Sequence, residues 1–169
     1  MGSSSQTTAV GVDYGTTSSL LAVAPDPGGP RVVRVPQEPD GPVLDHLPGY
    51  LYFPARGRVV VGEVARRLYP LKPHKVVRSV KRDLDGAWTI GRTTYTSVDL
   101  VRLTLRQLLR VARTQARGPL RSMVLTVPST FGQAPATRPS VGSTSRVEAT
   151  TVRRLSISQS GIGRAMRSS

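Results

Sequence analysis

The stretch Ala9–Ser19 (AVGVDYGTTSS), running directly into Leu20–Ala24 (LLAVA), constrains the chain more than any other. Two apolar, β-prone runs, Val10–Asp13 and Leu20–Ala24, flank a short polar loop. That is the pattern of a strand, a tight turn and a returning strand. Asp13 closes the first run. Gly15 lets the backbone turn sharply and lets a ligand approach it closely. Thr16, Thr17 and Ser18 offer hydroxyls and backbone amides to an anion, as phosphate-cradling loops do. Asp13 beside them is the hard oxygen donor that a magnesium–phosphate complex takes. The same residues also suit an ordinary β-hairpin with a polar turn.

The 169 residues suffice for one domain. Hydrophobic content of 38%, with 16 Gly and 14 Pro, points to many turns or unstructured stretches. No apolar run approaches the length of a transmembrane helix, and Met1–Thr8 lacks a signal peptide's apolar core, so no membrane association is expected. Cysteine is absent, which excludes disulfides, zinc–thiolate sites and thiol catalysis, and a cytoplasmic location fits. The net charge of +14 is uneven: residues 56–117 carry fifteen Lys and Arg against four acids. Such a surface attracts polyanions, nucleic acid included, in a salt-dependent and non-specific way. No interleaved aromatics, zinc spacing or helix-turn-helix signal accompanies it.

Along the chain, Val10–Asp13, Leu20–Ala24 and Arg31–Val35 predict an antiparallel meander. A Pro-rich loop follows from Pro36 to Pro48. Tyr50–Phe53 and Arg58–Val61 predict a second hairpin, and Gly62–Tyr69 a short helix stopped by Pro70. Val76–Arg82 reads as helix or turn. Trp88–Ile90 and Arg92–Tyr95 predict a third hairpin around Gly91. Ser97 is expected to cap the clearest helix, which buries Val101, Leu105, Leu108 and Ala112 and turns Arg102, Arg106, Arg110, Arg113 and Arg117 outward. Ser122–Val127 is a buried-type strand ended by Pro128. Past it, Pro135 and Pro139 interrupt any helix, and twelve of residues 136–169 are Ser or Thr. The organisation expected is a flexible segment over 1–8, a partial domain over 9–134, and a divergent, disordered Arg/Ser/Thr-rich tail over 135–169.

Four segments together resemble the 70-kDa heat-shock chaperones, the DnaK family. Val10–Ser19 (VGVDYGTTSS) is similar to that family's first phosphate motif. Val61–Arg66 (VGEVAR) resembles its VGxxAK segment, and Ser79–Arg82 (SVKR) its xIKR segment. Leu125–Phe131 (LTVPSTF) resembles its ITVPAYF strand end. The resemblance implies an α/β, actin-like (ribonuclease-H-like) ATPase fold, of which this chain would hold the first subdomain. Its mixed sheet would start with the antiparallel meander and remain incomplete. It also implies ATP or ADP with magnesium and potassium. Gly15, Thr16, Thr17 and Ser18 would bind phosphate, Asp13 would hold the hydrated magnesium, and Lys81 would be the catalytic lysine at the γ-phosphate. The implied partners are unfolded polypeptides, a J-domain co-chaperone and a nucleotide exchange factor.

The chain also departs from that family. The second phosphate motif (Asp-x-Gly-Gly-Gly-Thr) is missing from the 169 residues, as is the Asn-Glu-Pro-Thr motif with the catalytic glutamate. A truncated or frame-shifted product, inactive alone, is the expectation. Its parallel edge strand at 122–127 would then lie exposed and apolar. Two alternatives are a non-enzymatic ATPase-lobe remnant acting as an interaction module and a basic nucleic-acid-binding protein. His46 and His74 are too isolated for a metal site or a triad.

Overall fold

The computed structural model describes residues 7–54, 58–83, 85–128 and 150–156. Its main sheet is mixed. Strands β1 (Thr7–Tyr14), β2 (Ser18–Asp26) and β3 (Arg31–Val32) form the antiparallel meander, with Tyr14 opposite Ser19 across the first turn. The segment between residues 35 and 48 holds three two-residue strands, β4 (Val35–Pro36), β5 (Val43–Leu44) and β6 (Leu47–Pro48). The third run thus leaves the sheet early: β4 pairs with β5 instead, while β6 pairs with the start of β2.

A second, three-stranded sheet follows. It contains β7 (Tyr50–Tyr52) and β8 (Val60–Val61), then helix α1 (Glu63–Leu68), then β9 (Val76–Arg78). Residues 76–78, read as helix or turn, are a strand because Tyr50–Tyr52 supplies them with an antiparallel partner. A 3₁₀ turn at Val80–Arg82 completes that stretch. The third hairpin is β10 (Ala87–Ile90) with β11 (Thr93–Thr96). It leads into helix α2 (Ser97–Gln115), after which β12 (Leu120–Pro128) runs parallel to β1.

The cap of α2 lies one residue earlier than the sequence pattern indicates. The Thr96 hydroxyl accepts from the Asp99 amide, and the Asp99 carboxylate accepts from the Thr96 amide at 3.0 Å, a reciprocal capping box. Ser97 is buried instead, donating to the Asp83 carbonyl at 2.8 Å. The apolar face of α2 joins Val10, Val12, Leu21, Val23, Met123 and Leu125 of the sheet in one buried cluster. Trp88 is half-buried against the same cluster, as a packing residue.

Both ends of the expected domain are extended by strands. β1 begins at Thr7, inside the segment read as flexible, and Thr8 is fully buried with its amide donating to Pro119 O at 3.0 Å. Within the tail expected to lack structure, residues 150–156 form β13 (Thr150–Ser156), antiparallel to β12 with Ser122 opposite Ser156. The edge at 122–127 is therefore paired, not bare. Pro135 and Pro139 and the other residues of that tail lie outside the described ones.

Candidate functional site

The first turn sits at the carboxyl end of the two central strands. Parallel pairing of β1 with β12 and antiparallel pairing with β2 hold it from both sides, down to Asp13 opposite Thr126. Asp13 is exposed at the strand end, and its Oδ1 accepts a hydrogen bond from the Thr126 hydroxyl at 2.5 Å. That bond orients a solvent-facing carboxylate beside Gly15–Ser18. Thr17 is exposed; Gly15, Thr16 and Ser18 are half-buried. A Cβ at Gly15 would collide with the Ser18 carbonyl, so the turn closes around a position with room only for hydrogen.

Lys81 reaches this turn from 67 residues away: its Nζ donates to the Tyr14 carbonyl and lies 5.4 Å from the centre of the Tyr14 ring. An ammonium at that distance from an aromatic face is held by the ring quadrupole as well as by the hydrogen bond. Tyr14 itself is buried, which pushes its phenol up to about 12, partly offset by a hydrogen bond with Thr104 of α2. The tyrosine is neutral at physiological pH and serves as a platform between the lysine and the core. Asp13, Gly15, Thr16, Thr17, Ser18 and Lys81, separated in sequence, are thus brought to one end of the sheet.

Gly49 and Gln37 were not singled out by motif reasoning, yet both brace this end. Gly49 donates its amide to Thr17 O at 2.8 Å and accepts from the Ser79 amide at 3.3 Å. One residue therefore ties the Gly-Thr-Thr-Ser turn to Ser79, which opens the Lys81 turn. A Cβ at Gly49 would stand 3.2 Å from Thr17 O and 3.3 Å from Thr16 O, closer than side chains normally pack. Gln37 is buried and donates from Nε2 to the carbonyls of Val35 (2.9 Å) and His46 (3.1 Å). Its Oε1 accepts the Glu63 amide at 2.9 Å. No sequence signal marks a single glutamine in a Pro-rich loop as such a junction.

Glu63 heads α1, buried, and holds Arg66 through two oxygens at 2.6 and 2.8 Å and Arg67 at 3.0 Å. These bonds, led by that of Arg66, keep its carboxyl below the usual range against the opposing effect of burial. Among the described residues no group of three or more His, Asp or Glu side chains forms a metal cage. His46 bonds its neighbour Asp45 at 2.6 Å, and His74 is exposed. A single exposed carboxylate with adjacent hydroxyls suits magnesium, which keeps most of its waters and takes phosphate oxygens. The arrangement can therefore receive a metal-bound polyphosphate, with a cation nearby to offset its charge.

No family model matches the chain. Over 127 residues, 74% of its length, the chain is 29% identical to chaperone protein DnaK of Thermotoga neapolitana and to that of Thermotoga maritima. It is 28% identical over the same length to chaperone protein DnaK of Thermosipho africanus. The matched stretch is 20% of each of those proteins, so the chain spans about a fifth of the curated relatives it matches. The resemblance carried by the four motifs is borne out as a sequence relationship to the DnaK chaperones. The mixed α/β sheet is consistent with part of their ATPase domain. No helix among the described residues is long and apolar enough to cross a membrane.

Proposed function

We propose that this chain supplies one wall of the nucleotide site of a DnaK-type chaperone ATPase domain. In this assignment Gly15, Thr16, Thr17 and Ser18 receive the phosphates, Asp13 holds hydrated magnesium, and Lys81 faces the terminal phosphate. The observation that carries it is the placement of the Lys81 ammonium at the Tyr14 carbonyl, beside the turn. Chaperone activity, ATP turnover coupled to unfolded polypeptides, and work with J-domain and exchange-factor partners belong to the proposal as properties of the whole relatives. Bound magnesium would neutralise phosphate charge, and potassium enters through the resemblance. The residues of this chain would orient the phosphates and hold a proton-rich cation opposite them.

With one wall, the phosphates remain in contact with water, where such attractions are weak. The 169 residues alone are therefore expected to bind nucleotide only weakly and to turn over none. Isothermal titration with ADP and with ATP, each with magnesium, measures this, alongside amide chemical shifts of the labelled protein. Millimolar nucleotide should move Gly15–Ser18 and Lys81 first. Micromolar affinity would overturn the one-wall reading, and shifts confined elsewhere would overturn the phosphate assignment. We further propose that the residues after about Ala136, where the composition changes, are read in a changed frame. That assignment fails if neither alternative frame of the gene encodes the Asn-Glu-Pro-Thr or Asp-x-Gly-Gly-Gly-Thr motif.

A further inference from the structure

A groove of about 360 Å³ lies between helix α2 and the β8 region, lined by none of the candidate nucleotide residues. Arg106 and Arg110, one helical turn apart on the exposed face of α2, form one side, and Arg58 lies on the other. Between them Leu103 and Val60 are half-buried and present aliphatic surface. We propose that this groove docks an acidic peptide segment that carries an aliphatic side chain. The inference stands apart from the nucleotide site and does not depend on it.

Three observations support the choice of partner. Among the described residues three arginines and one carboxylate, Glu38, line the groove, so its charge is unbalanced. Guanidinium pairs with carboxylate through paired, directional hydrogen bonds. The groove already seats one such group: Glu38 Oε2 accepts from Arg110 at 3.4 Å, with both side chains more than half exposed. An exposed pair of that kind is weak, so an incoming carboxylate displaces it at little cost. Among the described residues the lining contains no aromatic ring on which a nucleic-acid base would stack, whereas Leu103 and Val60 match an aliphatic residue. Arg113, exposed on the same helix face, extends the positive field that steers an acidic partner inward, while Arg102 is paired with Asp99 at 3.1 Å.

The test is fluorescence anisotropy of the full chain with three labelled probes at physiological salt. These are a peptide of Glu-Glu-Leu repeats, a peptide of Glu-Glu-Ser repeats, and a single-stranded oligodeoxythymidylate of equal charge. The Glu-Glu-Leu peptide should bind at least fivefold more tightly than either other probe. R106E/R110E should weaken that binding tenfold or more, while R92E/R121E, which changes net charge equally but lies outside the groove lining, should weaken it less than threefold. Glu38→Gln, which removes the internal competitor, should tighten it. Equal loss in the two double variants would overturn the proposal, as would equal affinity for the oligonucleotide or no gain from Glu38→Gln. Circular dichroism of each variant verifies that the exposed substitutions leave the fold intact.

Discussion

The Lys81 ammonium donates to the main-chain carbonyl of Tyr14 and stands 5.4 Å from the centre of that residue's ring. The contact joins two segments 67 residues apart and converts a surface-type lysine into part of the Gly-Thr-Thr-Ser turn. Because Tyr14 is buried in the apolar cluster shared with α2, the lysine is anchored against the core.

Tyr14 makes the stability of the chain sensitive to high pH. Its folded value of about 12 lies above the usual 10.0, so the neutral phenol favours the folded state. That contribution is complete below pH 10 and is lost as pH rises through about 12, amounting to about 2–3 kcal/mol. Tyr14→Phe keeps the ring and removes the ionisation. Urea denaturation should show wild type losing stability relative to Tyr14→Phe between those pH values, and a constant difference would refute it.

Gly49→Ala should loosen the turn without unfolding the protein. The added Cβ presses on the carbonyls of Thr17 and Thr16 at 3.2 and 3.3 Å, and a loss of roughly 1–2 kcal/mol is expected. Hydrogen exchange of the Gly49 and Ser79 amides should quicken together, since both belong to the bridge between the turn and Lys81. Faster exchange of one alone would show that the bridge does not act as a unit.

Gln37→Leu preserves volume but strands the carbonyls of Val35 and His46 and the amide of Glu63. Leaving buried polar groups unpaired costs about 1–3 kcal/mol each, so a total near 3 kcal/mol is expected after partial relaxation. Thermal unfolding checks it; a change under about 1 kcal/mol would mean that water reaches the site.

Glu63 acts at the opposite end of the pH scale. Its folded carboxyl lies below the usual 4.5, so its contribution is present above that pH and is lost as pH falls through the lowered folded value. Glu63→Gln should cost roughly 1–2 kcal/mol at neutral pH, because Arg66 and Arg67 remain half in water. The gap between wild type and variant, followed by denaturant unfolding, should narrow as pH falls below 4.5; a gap that does not narrow would contradict the ion pairing.

Much of the architecture was legible from local pattern. Alternating apolar residues announced β1 and β2, Gly91 separated the strands of a real hairpin, and the expected pairing of the 50–53 and 58–61 runs is present between β7 and β8. The 3.6-residue spacing of Leu105, Leu108 and Ala112 marked the buried face of α2. Motif order placed Asp13, the Gly15–Ser18 turn and Lys81 among the candidates before any geometry was known.

Other features depend on distant partners. Val76–Arg78 carries no decisive periodicity and became a strand because Tyr50–Tyr52 lies beside it. Thr96 rather than Ser97 caps α2 because Ser97 is drawn to the Asp83 carbonyl. Residues 150–156 begin with the β-branched Thr150, Thr151 and Val152 but show no sustained alternation, and they pair with β12 along its length. Short-range preferences of the chain thus determined the hairpins, the long helix and the Gly-Thr-Thr-Ser turn. Only tertiary structure decided how that turn is braced by Gly49, where Lys81 points and which polar groups Gln37 satisfies. Apart from the bonds of Gln37 to Val35 and His46, those contacts join residues far apart in sequence, and buried donors and acceptors need such partners once the apolar faces have closed.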